Sequence, residues 1–178
     1  IRARPGAFNY ASASVGSSAH LNMELFKFRA GLDIVHVPYR GGPPMVQAVV
    51  TGEAPLAFGN LSNVLPQVRA GDVRLLAVTS RERAPEAPQT PTLHESGFEG
   101  FETMAWNGLL APRGTPAPIR ARILAELGRA RGDAALNDRL RSLGTTLVLS
   151  TPEEFQQRIE RDIAQWKRLA QAANITVQ

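Results

Sequence analysis

The residues best placed to do chemistry lie at 9–26, NYASASVGSSAHLNMELF, where serines and a glycine lead into an apolar helical pattern. Such a loop can hold a nucleophile, cradle an anion or cap the helix. A serine-hydrolase elbow needs Gly-x-Ser-x-Gly, so that the turn is tight on both sides of the nucleophile. Around Ser18 the order is Gly16-Ser17-Ser18-Ala19-His20, with histidine where the second glycine belongs. His20 follows Ser18 by two positions, and helix positions that close point to different faces. A Ser–His catalytic pair within the loop is therefore geometrically poor, although an esterase using Ser17 or Ser18 stands as the enzymatic alternative. Phosphate cradles fail as well: Gly-x-x-x-x-Gly-Lys-Ser/Thr is absent, and Gly41-Gly42 lacks dinucleotide-site spacing. Metal binding needs clustered ligands, but His20, His36 and His94 are scattered over different elements. His36 alternates with Val35 and Val37, which points to a structural histidine. The chain is expected to hold no metal and no cofactor.

Three strand-to-helix junctions remain: Ser14-Val15-Gly16-Ser17-Ser18, Arg40-Gly41-Gly42, and Gly59-Asn60-Leu61-Ser62. In an open parallel sheet such turns emerge at the carboxyl ends of the strands, where ligands bind. Each offers small or polar residues and backbone N–H groups at a helix N-terminus, which favour an anion. The plainer alternative is that Ser and Asn simply cap their helices and that Arg40 is a solvated surface charge.

The elements that would position these turns follow from hydrophobic spacing. Strands are expected at Phe8–Ala11, Asp33–Tyr39, Ala54–Phe58 and Val73–Thr79, the last nearly continuously apolar, as for a strand covered on both faces. Helices are expected at Ala19–Ala30, with Gly31 as a left-handed cap, at Met45–Val50, closed by Gly52, and from Leu61 to Gly71. This alternation is that of an α/β parallel sheet. Residues 81–101 are a long Pro/Gly/Glu-rich connection, uncommon unless it crosses between subdomains or serves function. Residues 102–110 read as extended. Helices then start at Thr115-Pro116, with Ile119, Ile123 and Leu127 inward, and at Asp133. A short strand is expected at Leu147–Leu149. Thr151-Pro152-Glu153-Glu154 forms a capping box opening a helix over 152–173, with Phe155, Ile159, Ile163, Trp166 and Ala170 on one stripe.

Composition bounds the rest. The 178 residues, 43% hydrophobic and 20% charged, suit one sizeable domain or one lobe with an appended subdomain. No cysteine is present, which excludes disulfides and thiol catalysis. The net charge of +4 comes from arginines interleaved with acids, not from the clustered basic and aromatic residues of a nucleic-acid binder. No apolar run reaches the roughly 18 residues of a membrane span, and no signal peptide is legible. The opening Ile1-Arg2-Ala3-Arg4-Pro5-Gly6 reads like the tail of a helix followed by a turn, as if cut from something longer.

Several segments together carry a resemblance: Phe8–Ser12, Val15–Ser18 with His20-Leu21, Val35-His36-Val37-Pro38-Tyr39-Arg40-Gly41-Gly42, Asn60-Leu61 with Leu65-Pro66, Arg69-Ala70-Gly71, Leu75–Ser80, Pro91-Thr92 with Glu95-Ser96-Gly97, Trp106 with Gly108–Pro112, Gly114-Thr115-Pro116 and Ser150–Phe155. In this order the chain resembles the Bug (TctC-like) solute-binding receptors of tripartite tricarboxylate transporters. The resemblance implies a non-enzymatic periplasmic receptor for a small carboxylate, handing it to the membrane components of a transporter, with no nucleic-acid partner. It implies a type II-like periplasmic-binding-protein lobe, a parallel-rich sheet flanked by helices, over 1–105. A crossover and C-terminal helical segment over 106–178 would pack on the family's first lobe, which is not in this sequence; those helices are then expected to pack on their own lobe or to self-associate with another copy of the chain. The ligand contacts it implies are Ser14, Gly16, Ser17, Ser18 and His20, with the turn of Tyr39, Arg40 and Gly41 flanking the cleft; Asn60 belongs to the third turn. Gly59 stands where many relatives carry an acidic residue. A transcriptional regulator's effector-binding core shares the general fold and would demand an upstream helix-turn-helix.

Overall fold

The computed structural model describes residues 1–172. The helix expected over 152–173 runs Pro152–Ala172; Ala173 lies outside the described residues.

The chain opens not on the tail of a helix but on turns, with Arg4 N donating to Ile1 O at 2.8 Å. Strand β1 (Asn9–Ser12), helix α1 (Ser18–Ala30) and strand β2 (Val35–Pro38) then form a βαβ unit. The strands are parallel, with Tyr10 opposite His36 and Ser12 opposite Pro38. Helix α1 ends as its glycine dictates: Gly31 takes φ 60°, and its N–H reaches back to Lys27 O. Successive residues of β1 face opposite sides. Tyr10 packs with Met23 and Ile34, while Ala11 packs with Ala19, Met45, Val46, Ala48 and Ala54. Tyr10, Ile34 and Met45 are almost wholly buried, each worth about 1.5–3 kcal/mol of transfer free energy.

Helix α2 (Gly42–Val50) lies against β1, and α3 (Leu61–Ala70) against α2. Between them Ala11 N donates to Leu56 O at 2.8 Å and Ala11 bridges Ala57 in parallel, placing the 54–58 segment on the other edge of β1 from β2. The segment therefore sits where a third strand belongs but makes a single bridge. The sheet itself has 2 strands among the described residues.

Residues 73–79 depart from expectation. They form no strand; only Val78 pairs, with Thr92, and Leu76 is 61% exposed. The apolar run is present, but a strand exists only through a neighbour's ladder, and among the described residues none aligns with 73–77. The long 81–101 connection is anchored to the lobe rather than loose. Thr92 and Glu95 cap each other reciprocally, Arg83 pairs with Glu95 at 2.9 Å, Phe98 packs on Phe26, and Phe101 is buried.

Beyond Thr103, whose carbonyl accepts from Thr79 Oγ1, residues 104–110 make no ladder. Helices α4 (Ala117–Arg131) and α5 (Ala134–Ser142) follow, and neither buries a residue. Ile119 and Ile123, expected inward, are exposed, and Ile123 and Leu127 border a cavity instead of filling a core. Asp133 caps α5 through Leu136 N at 3.0 Å, as its position predicts. No strand forms at 147–149, and Val148 is 77% exposed, again for want of a partner.

Helix α6 (Pro152–Ala172) opens on the predicted capping box. Thr151 N donates to Glu154 Oε2 at 2.8 Å, and Glu154 N to Thr151 Oγ1 at 3.2 Å. Phe155 meets Trp106 edge-on at 5.1 Å, and a Cβ at Gly108 would collide with the Phe155 ring. Ile163 is 61% exposed, and the buried residue of the helix is Leu169 rather than its predicted stripe neighbour Ala170.

Candidate functional site

The three junctions meet at one end of the βαβ unit. Gly41 N donates to Ala13 O at 2.8 Å, tying the second turn to the first. A Cβ on Gly42 would come within 2.5 Å of Asn63 Nδ2, so the second turn also touches the first turn of α3. Gly41, at φ 105°, occupies a conformation open to glycine and few others, which explains the glycine pair after Arg40.

The serine loop is wound around the Ser14 carbonyl. Ser12 Oγ donates to it at 3.0 Å, Ser17 Oγ at 2.7 Å and Ser17 N at 3.2 Å. Ser17 Oγ also accepts from His20 N, the N-cap bond of α1. The Ser17 hydroxyl is thus spent on structure. Among the described residues the Ser14 and Ser18 hydroxyls and the Ser18 and Ala19 amides have no recorded partner, and these are the groups left to meet a ligand.

The other two turns differ in what they offer. Pro43 and Pro44 carry no N–H, so α2 presents a single first-turn amide, Gly42. That corrects the expectation that every junction supplies a set of free amides. Arg40 is exposed with no ion pair among the described residues. The Tyr39 hydroxyl is shielded from solvent; burial, then the nearby Glu53 carboxylate, raises its pKa. At the third turn Asn60 caps α3 without a side-chain bond, leaving its amide and the Leu61 and Ser62 N–H groups unspent. Gly59 is exposed but crowded on one side: a Cβ there would lie 2.9 Å from Val64 Cγ1 and 3.2 Å from Met45 Cε. An acidic side chain at that position would have to displace both.

Ser18, Ala19 and Asn22 of α1 and Gly59–Ser62 border a cavity of about 2150 Å³, whose far wall includes Trp106, Leu110 and Phe155. Its size exceeds the roughly 300–1,000 Å³ of an ordinary small-molecule pocket, because α4 and α5 line it without closing it. Ser14, Gly16, Ser17, His20, Tyr39, Arg40 and Gly41 are not on that wall.

Beneath the loop lies a cluster that sequence reading missed. Register places Tyr10 beside His36, with ring centroids 4.8 Å apart, and α1 lays His20 on His36 at 4.1 Å. His20 and His36 are therefore stacked, whereas His94 stands apart and accepts from Gly100 N at 3.0 Å. Ser12 Oγ lies 2.7 Å from His36 Nε2, which bears out a structural histidine at 36. Tyr10 donates to Glu24 Oε1 at 2.7 Å, and Lys27 pairs with the same oxygen at 2.6 Å. Burial, then Glu24, pushes the Tyr10 hydroxyl well above its usual range. Burial would raise Glu24, but hydrogen bonds from Lys27 and Tyr10 hold it below normal. Burial lowers both histidines, His36 from 6.5 to about 4 with the help of His20's charge. The signal was available: His20, Glu24 and Lys27 recur at helical spacing on one face. Among the described residues no cluster of three or more His, Asp or Glu could hold a metal ion.

The model of the tripartite tricarboxylate transporter family receptor, TctC, matches residues 1–175. The chain belongs to this family. A TctC relative, the UPF0065 protein in the tcbD–tcbE intergenic region of a Pseudomonas species, is 34% identical over 169 residues, covering 94% of this chain and 50% of its own length. Among solved TctC-like structures, R. palustris Rpa4515 with adipate superposes at a TM-score of 0.93 and 35% identity, covering 98% of this chain and 58% of that one. The periplasmic binding protein BugD superposes at 0.90 and 28% identity, covering 100% and 60%. MatC from Rhodopseudomonas palustris with bound malate superposes at 0.81 and 32% identity, covering 92% and 57%. The fold is thus that of the TctC periplasmic binding proteins, and the chain spans about half the length of the curated relatives it matches.

Proposed function

We propose that this chain supplies one wall of a carboxylate-binding cleft in a periplasmic solute receptor serving a tripartite transporter. One observation carries the reading: the starts of α1 and α3, which hold unspent donors, line a common cavity, in a family whose solved members include one with adipate and one with malate. Helix N-termini favour a carboxylate because their first-turn amides are unpaired and the dipole is positive there. The working donors on α1 are Ser18 Oγ, Ser18 N and Ala19 N; on α3 they are Leu61 N, Ser62 N and the Asn60 amide. Ser14 and Arg40 lie off the cavity wall, and Arg40 adds attraction at longer range. Ser17, Gly16, His20 and Gly41 shape these turns rather than touch the ligand. Tyr39 contributes the packing behind the second turn.

An esterase draws no support from the loop. His20 Nδ1 accepts from Gly16 N, the Ser17 hydroxyl proton goes to the Ser14 carbonyl, and the unspent Ser18 hydroxyl has no hydrogen-bonded base among the described residues, so none is poised as a nucleophile–base pair. Titration calorimetry with adipate, malate and a monocarboxylate tests the reading. Saturable heat with a dicarboxylate supports it, and no heat with any of them overturns it. The division into a lobe over 1–105 and a segment over 106–178 that packs elsewhere is part of the same proposal. It is supported by the lack of buried residues in α4 and α5. Light scattering reads self-association through those helices.

A further inference from the structure

The serines do not hold their loop alone. Gly16 N–H, at the loop's apex and at φ 76°, donates to His20 Nδ1 at 3.1 Å. A ring nitrogen accepts a hydrogen bond only when it carries no proton, so His20 is the neutral tautomer protonated at Nε2. His20 as a residue is 6% exposed, and its ring stacks on His36. A second tie runs alongside. Ser12 Oγ gives its one proton to Ser14 O, so its contact with His36 Nε2 has the histidine donating. Both rings thus anchor the loop from below, His20 directly at Gly16 and His36 through Ser12 at Ser14.

We propose that His20 is a positioning residue for the carboxylate-binding loop: its unprotonated Nδ1 sets Gly16, and with it the Ser14–Ser18 geometry, and protonation releases the loop and weakens ligand binding. The consequence for ligand rests on the carboxylate reading above; the hold on the loop does not. Protonation would turn the Nδ1 acceptor into a donor facing the Gly16 N–H, which removes the bond and opposes two like dipoles. The groups packed against the ring come from three elements. Tyr10, on β1, is committed to Glu24; His36, on β2, stacks on the ring 4.1 Å away and stays neutral until about 4; on α1 itself Glu24 is already paired with Lys27. Burial keeps the ring neutral below its ordinary 6.5, Lys27 adds to this and Glu24 partly opposes it. In this proposal His20 acts on the loop rather than on the ligand.

The test follows ¹⁵N-labelled wild-type chain from about pH 7.5 to about pH 5, reading the Gly16 amide and the His20 ring together, with adipate calorimetry in parallel. The Gly16 amide should shift with the same midpoint as His20. His20→Asn, whose Oδ1 can stand in for Nδ1 but cannot titrate, should keep adipate affinity within about twofold at neutral pH and flatten its acid loss. His20→Leu should lose about five- to tenfold, the worth of one hydrogen bond. A Gly16 amide indifferent to His20 protonation overturns the proposal, as does an acid loss of affinity equal in wild type and His20→Asn, which would belong to the ligand's own protonation. Gly16 tracking His20 with no adipate heat at any pH would support the hold on the loop and remove the carboxylate reading.

Discussion

Acidification should destabilise this chain through His36 before any carboxylate contributes. The perturbation is a fall in pH from about 7.5 to about 5. In the unfolded chain His36 takes up a proton near 6.5, while in the fold the ring stays neutral until about 4. The unfolded state therefore binds more protons between those values. Stability is full above about pH 7, falls as pH drops through 6.5, and levels off once the folded ring also protonates near 4. Fully shielded, a depression of that size is worth ~3 kcal/mol. The ring is half-buried, so screening by water brings this to about 1.5 kcal/mol, of which about 1 kcal/mol is lost by pH 5. His20, lowered for the same reason, adds in the same direction. Glu24, held below its ordinary 4.5, contributes only at more acid pH. Urea unfolding reads the effect: with a slope of ~2 kcal/mol/M the midpoint should fall by about half a molar. His36→Gln keeps a donor toward Ser12 and removes the titration, so its midpoint should fall by less. An equal fall in both proteins would refute the reasoning.

Further outcomes follow from the same contacts. Ser17→Ala should cost about 1 kcal/mol of stability by removing the α1 cap, whereas Ser18→Ala should leave the melting temperature unchanged and weaken carboxylate binding about fivefold; paired melts and calorimetry separate the two. Gly108→Ala should push Phe155 off Trp106, costing about 1–3 kcal/mol and raising the accessibility of Trp106 to a fluorescence quencher. Glu154→Ala should remove half of the capping box and about 1 kcal/mol, read as lost helical ellipticity before global unfolding.

The helix ends were legible from sequence because their signals are local. Gly31 and Gly71 take left-handed φ, Asp133 caps through its own carboxylate, and Thr151 and Glu154 satisfy each other, all within a few residues. The strands were legible only where a partner exists. Asn9–Ser12 and Val35–Pro38 pair, but the equally apolar 73–79 run does not, since a hydrophobic run says nothing about which chain lies beside it. The stripe of α4 is left at the cavity edge or in solvent for a related reason: amphipathic spacing shows that a face wants cover, not that cover is present. At the candidate site the three turns and their convergence could be read. The division of labour within them could not. That Ser17 is spent while Ser18 is not depends on where one carbonyl, Ser14 O, points. The stack of His20 on His36 depends on strand register and helix docking together.

The central claim is that a carboxylate is held by the donors at the starts of α1 and α3. Its most direct measurement is the ¹⁵N amide spectrum of the chain during titration with adipate at neutral pH. The Ser18, Ala19, Leu61 and Ser62 amides should move together along one saturation curve, with α5 and its cap at Asp133 unmoved. Amides that stay still at the two helix starts, or shifts confined to the C-terminal helices, would contradict the account.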